Sequence, residues 1–230
     1  MLTIIAIYDI IIPHGGGHYM AKSTILKQLA NNEISLDVAF SRLMIIASDI
    51  NDNELLKWAE NELNGYSPSS ELPPYRNLGI GYIVYAGING SFQVKNQPMP
   101  FTSFLKEERE IIMSLSAVQD SIGAIQARSI SDANGKNEYA LDLTFLASSV
   151  FERQGIRCLS IHMTFDSNAF LNLLNGIRTK LLSIFIRLDK ELGCLDDLDI
   201  NTEHVEPVKM NELSQNIKSM IYADDRSEAI

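Results

Sequence analysis

The chain has 230 residues, 46% of them apolar and 21% charged, with a net charge of −10. This composition excludes collagen-like and disordered classes, and the length is enough to bury a core without disulfide or metal staples. A sequence pI near 4.8 excludes a whole-protein basic footprint for nucleic acid, so no nucleic-acid partner is indicated.

Met1 to Pro13 is apolar, but a dozen or so residues fall short of the roughly 20 that cross a bilayer. No Lys or Arg precedes Lys22, so the basic start of a signal peptide is missing. Gly16-Gly17-His18-Tyr19-Met20 can be encoded by GGA-GGT-CAC-TAT-ATG, which places a ribosome-binding GGAGG just before an ATG. Met20 is therefore the expected start, and residues 1–19 are expected to be a leader or a non-native extension.

From Met20 onward the spacing becomes helical. Ile25, Leu26 and Leu29 mark a first helix. Ser35 is the expected N-cap of a second, whose apolar face carries Leu36, Ala39, Phe40, Leu43, Ile46, Ala47 and Ile50. Asn51-Asp52-Asn53-Glu54 resembles a capping box and opens a third, with Leu55, Trp58, Ala59, Glu62 and Leu63, ended by Gly65. Residues 65–76, GYSPSSELPPYR, read as a loop, because three prolines and the serines oppose regular structure.

Residues 79–88 are β-rich. Asn89-Gly90 predicts a hairpin turn, with the return strand over 91–94. Thr102 or Ser103 is the expected cap of a helix reaching Leu115, and 118–127 is a further helical segment. Residues 138–152 fit either period, and helix is the favoured reading. Residues 155–165 alternate as a strand through Ile156, Cys158, Ser160 and His162. Ser167 is the expected cap of the longest helix, where Phe170, Leu174, Ile177, Leu181, Ile184 and Leu188 are spaced 4-3-4-3-4. Such a seam suits packing within the chain's own bundle or homo-oligomerisation. Residues 195–230 hold nine acidic against three basic residues. They read as an acidic tail containing one amphipathic stretch, Met210 to Tyr222. The fold class expected is α+β: mainly helical, with N-terminal helices and a long C-terminal helix packed with a small antiparallel sheet.

The chemistry-bearing patterns are weak. Cys158 and Cys194 have no metal-type spacing and read as free thiols in a reducing, cytoplasmic setting. His14-Gly-Gly-Gly resembles an oxyanion loop, but the Gly-x-Ser-x-Gly elbow it works with is missing. The glycines between His14 and His18 oppose a helical metal pair. Gly79-x-Gly81 lacks the strand–turn–helix setting of a dinucleotide site. His162 reads first as a core or edge residue, and Cys158 as a small buried hydrophobe. No metal and no cofactor are called for. The long helix is locally basic, through Arg178, Lys180, Arg187 and Lys190; this is either a solvated face or a partner site. Trp58, Glu62, Tyr66, Tyr75 and Arg76 gather where the third helix meets the loop. They form either a structural lock or a recognition surface.

At this junction the sequence resembles the AbiTii-domain family. The resemblance rests on Leu55-Leu56-Lys57-Trp58, Glu62-Leu63-Asn64-Gly65-Tyr66 and Leu72-Pro73-Pro74-Tyr75-Arg76. It continues through Asn96-Gln97-Pro98-Met99-Pro100, Cys158 and Arg178-Thr179-Lys180-Leu181-Leu182. It spans residues 20–193, leaving 1–19 and the acidic tail, 194–230, outside. The resemblance implies bacterial abortive-infection defence against phage. It also implies a companion protein, since the name comes from a two-component system. The family supplies no established active site. Its signature positions Trp58, Glu62, Gly65, Tyr66, Pro74, Tyr75, Arg76 and Arg178 are carried over as a candidate functional surface.

Three functions fit. The first is a component that binds a partner or phage factor and leads to growth arrest. The second is a nuclease-like effector using Glu62, Arg76, His162 or Arg178, which needs these groups around one pocket. The third is an antitoxin-like partner acting through the acidic tail.

Overall fold

The computed structural model describes residues 22–131, 139–151, 155–197, 200 and 205–223; the expected leader, 1–19, lies outside them. The fold is α+β, as the sequence predicts. The first described elements are three helices, α1 (Thr24–Ala30), α2 (Leu36–Asp49) and α3 (Asn53–Asn64). Ser35 caps α2, its hydroxyl accepting from the Val38 amide at 3.3 Å. The whole apolar face expected for α2 is buried. The cap of α3 is Asp52, whose carboxylate accepts from the Leu55 amide at 3.0 Å. Asn51 instead takes a left-handed φ of 55° and turns the chain between the helices, a conformation that Asn tolerates.

A hairpin follows. Strands β1 (Tyr82–Asn89) and β2 (Phe92–Pro98) are joined through Asn89-Gly90. Strand β4 (Ile156–Phe165) lies on the other side of β1, and β3 (Tyr139–Asp142) borders β4. The sheet order is β2-β1-β4-β3, with every pairing antiparallel.

The helix expected over 138–152 is only partly present. Its first four described residues are β3, followed by a 3-10 turn at Thr144–Leu146 and a short α6 (Ala147–Phe151). Tyr139 and Leu141 turn inward while Ala140 and Asp142 stay exposed. Pairing with β4 along that two-residue period outweighs the helical preference of Ala and Leu.

The alternation expected in β4 also changes phase. Between the pairs Ala86–Ser160 and Gly87–Cys158 the register slips, leaving Leu159 as a bulge. Ile156 and Cys158 pack inward on one side of it, and Ile161, Met163 and Phe165 on the other.

Helices α4 (Lys106–Leu115) and α5 (Ile122–Ser131) start later than predicted. Thr102 and Ser103 belong to a 3-10 turn, Phe101–Ser103. The Glu108 carboxylate receives the Leu105 amide at the start of α4 at 2.8 Å. Helix α7 (Ser167–Leu192) is capped by Asp166, which accepts from the Ala169 amide at 3.1 Å. Helix α8 (Pro207–Tyr222) falls within the expected tail, yet it buries Leu213, Ile217 and Ile221 in the main core. Leu195 and Ile200 join them there.

Two cores result. One gathers α1, α2, α3, α5, α7 and α8; the other lies between the inner sheet face, α4 and α6. Along α7, Phe170, Ile177, Leu181, Ile184 and Leu188 are buried in the first core, and Leu174 packs against it half-buried. This corrects the expectation that the seam serves homo-oligomerisation: its knobs are filled by the chain's own helices. By length and composition α7 could cross a membrane, but the same seam faces protein.

Candidate functional site

Glu62 lies on the last turn of α3, and its side chain is fully buried. Gly65 then bends the chain at a φ of +91°. A Cβ there would stand 3.0 Å from the Gln119 carbonyl oxygen, so glycine is required on both counts. The turn delivers Tyr66, whose amide donates to that carbonyl at 2.7 Å. Its hydroxyl donates to Glu62 Oε1, also at 2.7 Å.

The proline-rich loop returns as a 3-10 turn, Pro74–Arg76. Pro74 sits at its start, where the fixed φ suits the turn and no amide is lost. Tyr75 and Arg76 thereby face Glu62. The Tyr75 hydroxyl donates to Glu62 Oε1 at 2.7 Å and accepts from the Trp58 indole at 2.8 Å. Arg76 donates through Nε to Oε1 at 3.1 Å and through Nη2 to Oε2, a two-point pair with both side chains fully buried. Its remaining Nη1 donates to the carbonyls of Val118 and Asp120. The Arg76 guanidinium stacks 4.9 Å from the Tyr66 ring centre, and Lys180 lies 5.5 Å from that of Tyr75.

The electrostatics follow from this enclosure. Burial, then the Glu62 charge, push the Tyr66 and Tyr75 phenols well above their ordinary pKa. Burial alone would lower the Arg76 guanidinium. The Glu62 charge, its hydrogen bonds and the two tyrosines outweigh that and raise it. Each polar group in the cluster is committed to a neighbour, so Glu62 has no open approach from which to act as a base.

Seven of the eight carried-over positions thus form one unit: Trp58, Glu62, Gly65, Tyr66, Pro74, Tyr75 and Arg76. Arg178 does not join it. From α7 it donates to the Leu29 carbonyl at the end of α1, and burial lowers its pKa. His162 is also elsewhere, half-exposed on β4 with Nδ1 3.9 Å from Asp142 Oδ1. The nuclease set of Glu62, His162 and Arg178 is therefore not assembled. Cys158 is half-buried, and burial raises its thiol. His14 and His18 lie outside the described residues. Among the described residues, no cluster of three His, Cys, Asp or Glu is placed to hold a metal. The sequence reading missed Lys180 and the 118–120 carbonyls as members of the lock. They join it across more than forty residues, and no local pattern signals such contacts.

A second feature is the outer sheet face. Cross-strand partners share a face, so Val84, His162, Asp142 and Pro98 form one row across all four strands. Tyr82, 59% exposed, and Ile88 continue that face along β1, and the bulge leaves Leu159 48% exposed. At the hairpin end Phe92, 77% exposed, pairs with Asn89 and so stands on the opposite side from Ile88. A cleft of about 380 Å³ opens beside Tyr82, bordered by Ile80, Thr164, Asp166 and Ala169.

The AbiTii family model matches residues 23–212, a span that contains the lock, the whole sheet and the first turns of α8. No curated protein and no solved structure shows significant similarity. The chain belongs to the AbiTii family, which suggests a role in abortive-infection defence against phage.

Proposed function

We propose that the protein is the recognition component of an abortive-infection system. It binds a companion protein through the outer face of its sheet, and the complex arrests growth of the infected cell. The observation that carries this reading is the apolar, solvent-facing surface of Tyr82, Ile88 and Leu159, set on a rigid sheet whose inner face is packed. Exposed aromatic and aliphatic groups gathered on one face are typical of protein-binding surfaces. The buried lock serves that surface indirectly, by fixing the helical body from which the hairpin projects. Low catalytic promise at Glu62 and the expectation of a two-part system favour binding over chemistry.

The test is liquid-culture infection at low and high phage-to-cell ratio, with this gene alone and with its genomic neighbour. Protection at low ratio and collapse at high ratio are expected, both lost without the neighbour. The Tyr82→Asp and Leu159→Asp variants should fold normally, lose protection and fail to co-purify with the neighbour's product. If both variants protect fully, the sheet face is not the binding surface. If protection needs no neighbour, the bound protein is a phage factor instead.

A further inference from the structure

The charge on the sheet runs against that of the chain. The chain has 29 acidic residues and a net charge of −10, yet the four strands hold one carboxylate, Asp142. Asp142 lies at the β3 border. It accepts from the Thr144 amide at 2.9 Å and stands 3.9 Å from His162.

The cations lie toward the hairpin end. Ile88 on β1 pairs with Arg157 on β4 and with Gln93 on β2. Cross-strand partners share a face, so Arg157 projects beside Ile88 from the outer side, where it is exposed. On β2, Val94 pairs with the buried Gly87. The next side chain, Lys95, therefore turns outward, and it is exposed as well. Among the described residues, neither Arg157 nor Lys95 has a carboxylate within ion-pair distance. Ile88 and the bulged Leu159 thus share a patch with two exposed, uncompensated cations.

We propose that this patch selects an acidic surface on the companion, with carboxylates against Arg157 and Lys95 and an apolar group against Ile88 and Leu159. This rests on the outer sheet face being the companion site. Opposite charges around an apolar centre steer encounter and reject like-charged partners. Nucleic acid, whose binding needs a run of phosphate contacts, would find two cations on an acidic body. A second copy would have to offer carboxylates from elsewhere on its surface, a head-to-tail contact that does not close as a two-fold dimer.

Biolayer interferometry with the full chain and the purified product of the neighbouring gene, at low and high salt, tests this. High salt should weaken binding about tenfold, mainly through slower association. Arg157→Glu, at an exposed position, should leave the fold intact and weaken binding about a hundredfold. Arg157→Lys should keep most of the affinity, because the charge is what the companion reads. Lys95→Glu should act in the same direction as Arg157→Glu. The proposal is overturned by binding that salt strengthens or leaves unchanged, or by an Arg157→Glu chain that binds as the wild type does. It is also overturned by an RNA oligonucleotide that displaces the companion, or by self-association of the chain that Arg157→Glu abolishes. Failure of the underlying reading looks different, since Tyr82→Asp and Leu159→Asp would then bind the companion normally, or the wild-type chain would not bind it. If those two variants lose the companion while Arg157→Glu keeps it, the sheet face is the site and its preference for an acidic surface is refuted.

Discussion

Glu62 and Arg76 each depend on the other, because an ion buried without its partner keeps its desolvation cost and loses its compensation. Glu62→Gln is expected to destabilise the fold by about 3 to 5 kcal/mol, measured by urea unfolding. Gly65→Ala combines a strained φ with contact against the Gln119 carbonyl, and about 1 to 3 kcal/mol is expected to be lost. The tyrosines give the lock a pH signature. Tyr66 and Tyr75 have raised pKa values in the fold, so their contribution is complete below the ordinary phenol value. Above about pH 10 the unfolded chain ionises while the folded tyrosines hold their protons, and stability falls. A Tyr66→Phe, Tyr75→Phe chain should show a shallower alkaline decline in urea midpoint. The participants from α3 and the proline loop were legible in the sequence, because a Trp, a Glu, two Tyr and an Arg crowd one short stretch. Their mutual saturation was not, since the carbonyls of Val118 and Asp120 enter only through tertiary packing.

Elements with one buried face were the most readable. The apolar stripe of α2 and the seam of α7 both reached the core in the predicted register. Caps were less readable, because Asp52 and Asp166 each stand beside another good capping residue, and the chain's turn decides between them. Strand β3 was hidden, since four alternating residues gain their identity from the neighbouring β4. The bulge at Leu159 was hidden for a similar reason: it resolves a mismatch with β1 that β4 alone does not contain. Helix α8 shows what charge can obscure. Its acidic surroundings suggest a free tail, yet it packs on α3 and α7. Ile217→Ala should therefore cost about 2 to 5 kcal/mol in thermal or urea unfolding. Deleting 195–230 should unfold the chain, which makes that deletion unsuitable as a test of an antitoxin-like tail.

At the scale of the molecule, the helical core and the sheet core meet beside the segment running from Arg76 to Val118. There the Val118 amide donates to the Arg76 carbonyl, and the Leu78 amide to that of Ser116. The family match runs from 23 to 212, so the lock and the sheet belong to one matched domain. The proposed companion surface lies on the sheet, apart from the lock. Trp58 gives a direct way to watch the lock. It is the chain's single tryptophan, 2% exposed, packed edge-on to Phe40 at 5.0 Å and tied to Tyr75. Its fluorescence therefore reports the lock with no added dye. Emission that stays blue when the companion binds would mean the helical body is a passive scaffold. A shift to the red would mean that capture at the sheet loosens the joint beneath it and carries the signal of infection inward.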